Sequence, residues 1–440
     1  MEISRDYGKE SLQFLMQSLA RVLTSIGRED VTDCLPWQQL WRERPSAPAA
    51  GLPAASAEDC LQAFSIAFQL LNLAEENAVV QTRRATERRG EKTGESGAWE
   101  QAFSQALGSE VDQEALALLL TELRIEPVLT AHPTEAKRQT VLEHHRALYQ
   151  LLVARENSMW TAVEQAELGD ATDACLERLW RTGEIYLVKP ELADERRLIM
   201  HFLSAVFPAA VAAFHTRLQQ AWAAVGLDPD LLQGGDRLPT VVFGSWVGGD
   251  RDGHPGVTAA VTAETLAHHR GEALALLDRS LEALASRLSL SLYRQPPPPA
   301  LLAAIQERTR ALGDDAVAAL TRNAEEPFRQ YVNLLRASLP LPGRRKPACF
   351  SRADELDAAL ALLERALDKL DARRLARQDI RPLRTQLRSF GFHLARLDVR
   401  QNSAAHDNAL ASLLSDAGID DGPDMATGQW RAVALSSTKR

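Results

Sequence analysis

TVVFGSWVGGDRDGHP, residues Thr240–Pro255, is the stretch on which the reading of the fold turns. It opens with β-branched and aromatic residues and then gives way abruptly to a glycine-rich, charged segment. Against a background of Ala, Leu, Glu and Arg at helical spacing, that pattern is a strand running into a loop. Gly244, Gly248, Gly249 and Gly253 let the backbone turn sharply and approach a ligand, while Asp250, Arg251 and Asp252 project from it. Working outward, two further stretches break the helical pattern. Glu126–Thr130 (EPVLT) also runs into a polar loop, and Gly391–Val399 (GFHLARLDV) carries its charges along the strand itself. Functional groups at strand ends with helices between the strands are the arrangement of α/β barrels, and three strands cannot close one.

The remainder reads as amphipathic helix, as at Leu281, Leu284 and Leu288 or Leu356, Leu360, Leu363 and Leu367. Breaks fall at Arg44–Ser56, around Gly234 and Gly235, at Pro296–Pro299 and at Leu339–Pro347. The 440 residues are 45% hydrophobic and 25% charged, enough for a large core and for two structural units or one very large one. A net charge of -9 argues against nucleic acid as a partner while leaving room for a local basic pocket. Cys34, Cys60, Cys175 and Cys349 are far apart and form no CxxC pair, so four reduced thiols are expected and no zinc site. The first residues lack a basic segment followed by an apolar one, and no later run is expected to approach the roughly 20 apolar residues of a membrane span. A soluble, cytoplasmic protein with no membrane partner is the expectation.

VLTAHPTEAKRQT (Val128–Thr140) closes a strand and opens a helix, with Pro133 suited to the first helical turn. His132 then sits at the helix amino end, where the dipole disfavours imidazolium and a neutral general base is plausible. The plain alternative is a histidine that only caps the helix. For DRDG (Asp250–Gly253), a calcium loop lacks its later ligands, and the bland reading is a tight turn with Arg251 clamped between two aspartates. In FGFHLARLDVRQNS (Phe390–Ser403), strict alternation puts Phe392, Leu394, Arg396, Asp398 and Arg400 on one face. Three charges there need partners if buried. Either a phosphate site or an internal Arg-Asp-Arg network would supply them.

These strings together resemble the phosphoenolpyruvate carboxylase family. VLTAHPTEA is similar to that family's most characteristic signature. FGSWVGGDRDGHP is similar to a motif usually reading GSWMGGDRDGNP, with Val247 and His254 as departures, and FGFHLARLDVRQNS to one close to FGLxLxRLDIRQES, where Ala405 stands in for a usual arginine. LLNLAEENAVVQTRR (Leu70–Arg84) and ERLWRTGEI (Glu177–Ile185) look like two further family helices, so the likeness runs from about Leu61 to Ser403.

The resemblance implies a fold that is mainly α with a few parallel β-strands, many helices surrounding part of an α/β (TIM-like) barrel left incomplete here. It divides the chain into an amino-terminal helical region (1–120), a partial barrel with helical insertions (121–403) and a divergent tail (404–440). It implies phosphoenolpyruvate and bicarbonate as substrates and oxaloacetate and phosphate as products. His132 would be the base and Arg396 the phosphate-binding cation, with Trp246, Gly248, Gly249 and Arg251 shaping the pocket. The Mg²⁺ cofactor finds no ligands in this half, so the isolated chain is expected to be inactive. A homo-oligomer of a full-length form, or a companion carboxy-terminal chain, would complete it. The alternative is a non-catalytic regulatory or assembly partner derived from the same family.

Overall fold

A computed structural model describes residues 6–41, 55–89, 97–109, 111–130, 139–182, 191–233, 237–252, 256–321, 323–342 and 348–417. It is mostly helical and divides into two compact units, Met1–Gln105 with His132–Pro190, and Ala106–Ala131 with Glu191–Arg440. These units interleave along the chain and so cut across the consecutive segments 1–120 and 121–403 expected from the motifs.

The first unit is a helical bundle. The Tyr7–Ser25 helix packs on Ala57–Arg88 and Ala162–Thr182, and Gln139–Arg155 packs on the latter two. Leu15, Leu19, Leu23, Leu70, Leu148 and Leu176 recur at helical spacing and meet in one core. The side chains of Asp6 and Ser56 cap the first two of these helices by accepting from the Lys9 and Asp59 amides. Cys34 and Cys60 are joined in a disulfide, which corrects the expectation of four reduced thiols. The fold brings together two cysteines that the sequence separates by 26 positions, with their Cα atoms 5.6 Å apart.

The second unit carries the strands, all parallel. Arg124–Ile125 (β1) pairs with Thr240–Val241 (β3), and Gly244–Ser245 (β4) lies between Val128–Leu129 (β2) and Arg396–Leu397 (β5). The ladder is continuous between the first two stretches, since Thr240, Val242, Gly244 and Trp246 donate to the carbonyls of Leu123, Ile125, Pro127 and Leu129 at 2.9 to 3.1 Å. Pro127 has no N–H and lies on the outer stretch, where it accepts but is not asked to donate. Three short parallel stretches held by helices are what the described residues form, and they do not close a barrel.

The third stretch starts later than alternation predicts. Gly391, at φ +51, ends the Arg381–Phe390 helix, and Leu394 sits at φ +59, so Gly391–Ala395 is a turn and only then does β5 begin. Phe392 and Leu394 are both buried but belong to different cores, one among the helices from Ala259–Arg287 onward, the other beneath the strands. Beneath the strands Phe207, Phe243 and Phe390 form a stack, with centroids 4.7 and 5.3 Å apart and planes within 10°.

Leu192–Ala224 runs as one 33-residue helical path with a π-helical turn at Phe202–Val206. By length and composition it could cross a membrane, with a mean hydropathy of 1.7 over 18 residues. This corrects the expectation of no such run, which His201, Ser204 and His215 disguise. Leu203, Val211 and Leu218 are buried while the open side is mostly alanine, at positions 205, 209 and 213, which is the pattern of a helix lying on a protein core.

Candidate functional site

The loop after β4 is built by close approach. Gly248 adopts φ +84, and a Cβ there would collide with the Thr265 hydroxyl; a Cβ on Gly249 would collide with the Asp398 carbonyl oxygen. Both glycines are therefore required by space, one against the Ala259–Arg287 helix and one against the strand next door. The neighbouring loops are then laced together. Arg400 donates its amide to the Gly249 carbonyl at 3.1 Å and its own carbonyl accepts from the Arg251 amide at 2.8 Å.

Side chains complete the junction. The Arg400 guanidinium lies 3.8 Å over the Trp246 ring and reaches Asp250 at 3.2 Å. Arg251 turns the other way, donating from Nη2 to the Thr262 hydroxyl at 3.1 Å, and that hydroxyl donates to the Gly248 carbonyl at 2.8 Å. The Nε of Arg251 is buried without a hydrogen-bond partner. Arg251 is thus not clamped between Asp250 and Asp252; Asp250 serves Arg400, and its other oxygen accepts from the Asp252 amide. Val247, where the family has methionine, is buried in the core beneath the strands.

Arg396 stands opposite Gly244 in the parallel register. Its guanidinium reaches Glu126 at 3.6 Å, over the row where the central strand has only a glycine. Glu126 is held more closely by Arg124, at 3.0 Å. With its side chain 63% exposed, Arg396 is only loosely paired. The burial cost foreseen for three alternating charges does not arise, because Arg396 and Asp398 are exposed.

The strands thus bring Trp246, Gly248, Gly249 and Arg251 into one loop, with Arg396 on the next strand. His132 and His254 lie outside the described residues. Glu126, Thr262 and Thr265 belong to the same neighbourhood and escape sequence reasoning; the Thr258, Thr262, Thr265 spacing on one helix face is the only local sign of them. For a divalent cation Asp250 and Glu126 fit poorly, since both are committed to guanidiniums. Among the described residues, no three His, Cys, Asp or Glu side chains gather as a metal site.

The family model for phosphoenolpyruvate carboxylase matches residues 42–435. The chain belongs to the phosphoenolpyruvate carboxylase family. Relatives bearing that name include one from Xanthomonas oryzae, 33% identical over 83% of this chain and 40% of its own length. Another, from Methylorubrum extorquens, is 32% identical over 86% of this chain and 41% of its own. A third, from Gloeobacter violaceus, is 30% identical over 92% and 44%. The chain therefore spans well under half the length of the curated relatives it matches. Within the family frame, each of the three motifs that carried the resemblance contains one of the three parallel strands β2, β4 and β5.

Proposed function

We propose that this chain supplies the amino-terminal part of a phosphoenolpyruvate carboxylase site, with the three parallel stretches forming one side of an α/β barrel. The supporting observation is Arg396, a largely exposed guanidinium beside a glycine-rich loop on the adjacent parallel strand. In this reading Arg396 exchanges its weak contact with Glu126 for the phosphoryl oxygens of phosphoenolpyruvate, whose charge and geometry suit its planar fork far better. His132 acts as the base that takes a proton from the carboxyphosphate formed with bicarbonate, and the glycine loop fixes the wall against which the enolate is held. Mg²⁺ would stabilise the enolate oxygen in such chemistry, held by residues other than those described.

Removing one oriented donor commonly costs about 10² to 10³ in rate, so a chain contributing only part of the site should turn over negligibly. The test measures oxaloacetate formed by the purified chain with Mg²⁺, phosphoenolpyruvate and bicarbonate, alongside calorimetric binding of phosphoenolpyruvate. We expect binding without turnover, with binding lost in Arg396→Gln. Robust turnover would refute the incompleteness.

One observation favours a non-catalytic family derivative as the second reading. Trp246, which would otherwise present an apolar wall, has its face covered by Arg400. That reading predicts no phosphoenolpyruvate binding at all.

A further inference from the structure

Away from the strands, the second unit has a cavity of about 1260 Å³ between the end of the Phe207–Ala224 helix and the segment Asp371–Pro382. Four arginines line it, Arg373, Arg374, Arg377 and Arg381. Arg381 is engaged by Glu364 at 2.7 Å. The other three are exposed and, among the described residues, have no ion pair or hydrogen bond from their side chains. The one carboxylate on the cavity wall is Asp371, and the remaining polar groups are amides and a hydroxyl such as Gln219, Gln233 and Thr216. A second, smaller cavity of about 80 Å³ shares Arg377 and Arg381 with it and is also lined by His215. Burial pushes the His215 imidazole below its usual range, and its Nε2 bonds the Pro239 carbonyl at 2.9 Å, so it brings no negative charge.

This concentration of positive charge is anomalous in a chain of net charge -9. Arg373, Arg377 and Arg381 recur every four residues, a spacing at which like charges repel along a helix. The backbone is unusual at the same place. Asp371 adopts φ +55, and Ala376–Ile380 is a π-helical turn, a feature that often marks functional positions. A structural role for the three guanidiniums would show as partners, and they have none among the described residues. A ligand that brings several anionic oxygens would relieve the repulsion and satisfy forked donors at once.

We propose that this cavity binds a small polyanion, a molecule with two or more phosphate or carboxylate groups, through Arg373, Arg374 and Arg377. The site is separate from the loop that carries Trp246 and Arg251 and does not depend on the carboxylase reading. The test is calorimetric titration of the 440-residue chain with pyrophosphate and with citrate at fixed ionic strength, two probes that distinguish the phosphate from the carboxylate form of the ligand. Saturable binding of at least one at a 1:1 ratio is expected, weakened at least tenfold in Arg374→Gln/Arg377→Gln and unchanged in Arg310→Gln, an exposed arginine outside the cavity. On the unmodified chain, the bound probe should also protect Arg373, Arg374 and Arg377 from phenylglyoxal, read by peptide mass spectrometry. No saturable binding of either probe, equal loss in Arg310→Gln, or unprotected arginines would overturn the proposal.

Discussion

Gly249 shows how a single missing methyl shapes this site. Its α-carbon faces the Asp398 backbone, which cannot rotate away as a side chain could, so Gly249→Ala must push two loops apart. We predict a loss of about 2 to 3 kcal/mol in urea unfolding, while Gly271→Ala, with open space around its α-carbon, should be neutral or mildly stabilising. His269 gives a second residue-scale prediction. It is buried on the Ala259–Arg287 helix, and burial pushes its pKa down from 6.5 to about 4, with the backbone at His393 and Ala395 pulling weakly the other way. The unfolded chain takes up this proton first. Stability from His269 is therefore complete above pH 6.5 and lost as pH falls toward 4, a share on the order of 3 kcal/mol. Melting temperature followed across that window should fall less steeply in His269→Gln, leaving the slope from ion-paired carboxylates such as Asp59, whose pKa the Arg28 hydrogen bond lowers.

Among the elements, the Ala353–Asp368 and Arg381–Phe390 helices are joined by buried charge. Glu364 accepts from Arg381 at 2.7 Å and from Arg384 at 2.8 Å, and Arg384 also grips Asp357 at 2.8 and 2.9 Å. Glu364 and Arg384 are both more than nine-tenths buried. Removing the carboxylate leaves a guanidinium short of one partner away from water, so Glu364→Ala should cost about 3 kcal/mol, measured by denaturant unfolding. A cost below 1 kcal/mol would mean that Asp357 alone satisfies Arg384.

The same elements show what the sequence reveals and what it hides. Thr240–Trp246 is legible because a β-branched run followed by glycines is a local signal, and the helices are legible because their leucines recur at 3.6 residues. Gly391–Ala395 misleads because the left-handed Leu394 is set by two cores pulling neighbouring side chains apart, which no alternation rule contains. The Trp246–Arg400 stack and the Glu126–Arg396 contact join residues more than 150 positions apart and exist only once the strands are paired. Membership of a family was readable from three strings; the partners that hold those strings in place were not.

For the whole molecule, the interleaving of the two units matters more than either alone. Leu148 and Leu176 complete the core that Leu15 and Leu70 begin, so residues 1–190 contain what the first unit needs. They also contain β1 and β2 without β3 and β4. We predict that a 1–190 fragment is folded by circular dichroism yet cut by trypsin or elastase within 124–129, the strands that the full chain pairs with β3 and β4. Equal protection in both would show that these strands are held without their partners.

Synthesis meets the same interleaving in the order of time. When β2 leaves the ribosome, its neighbour β4 is still roughly 115 residues from being made. At about 5 to 20 residues per second the wait is on the order of 6 to 23 s, far longer than helices need to form. For the later part of that interval, once the helices through Thr182 have been made, a newborn chain holds a finished bundle and two strands still without their partners, and the machinery that shelters nascent proteins has a defined place and moment at which to act.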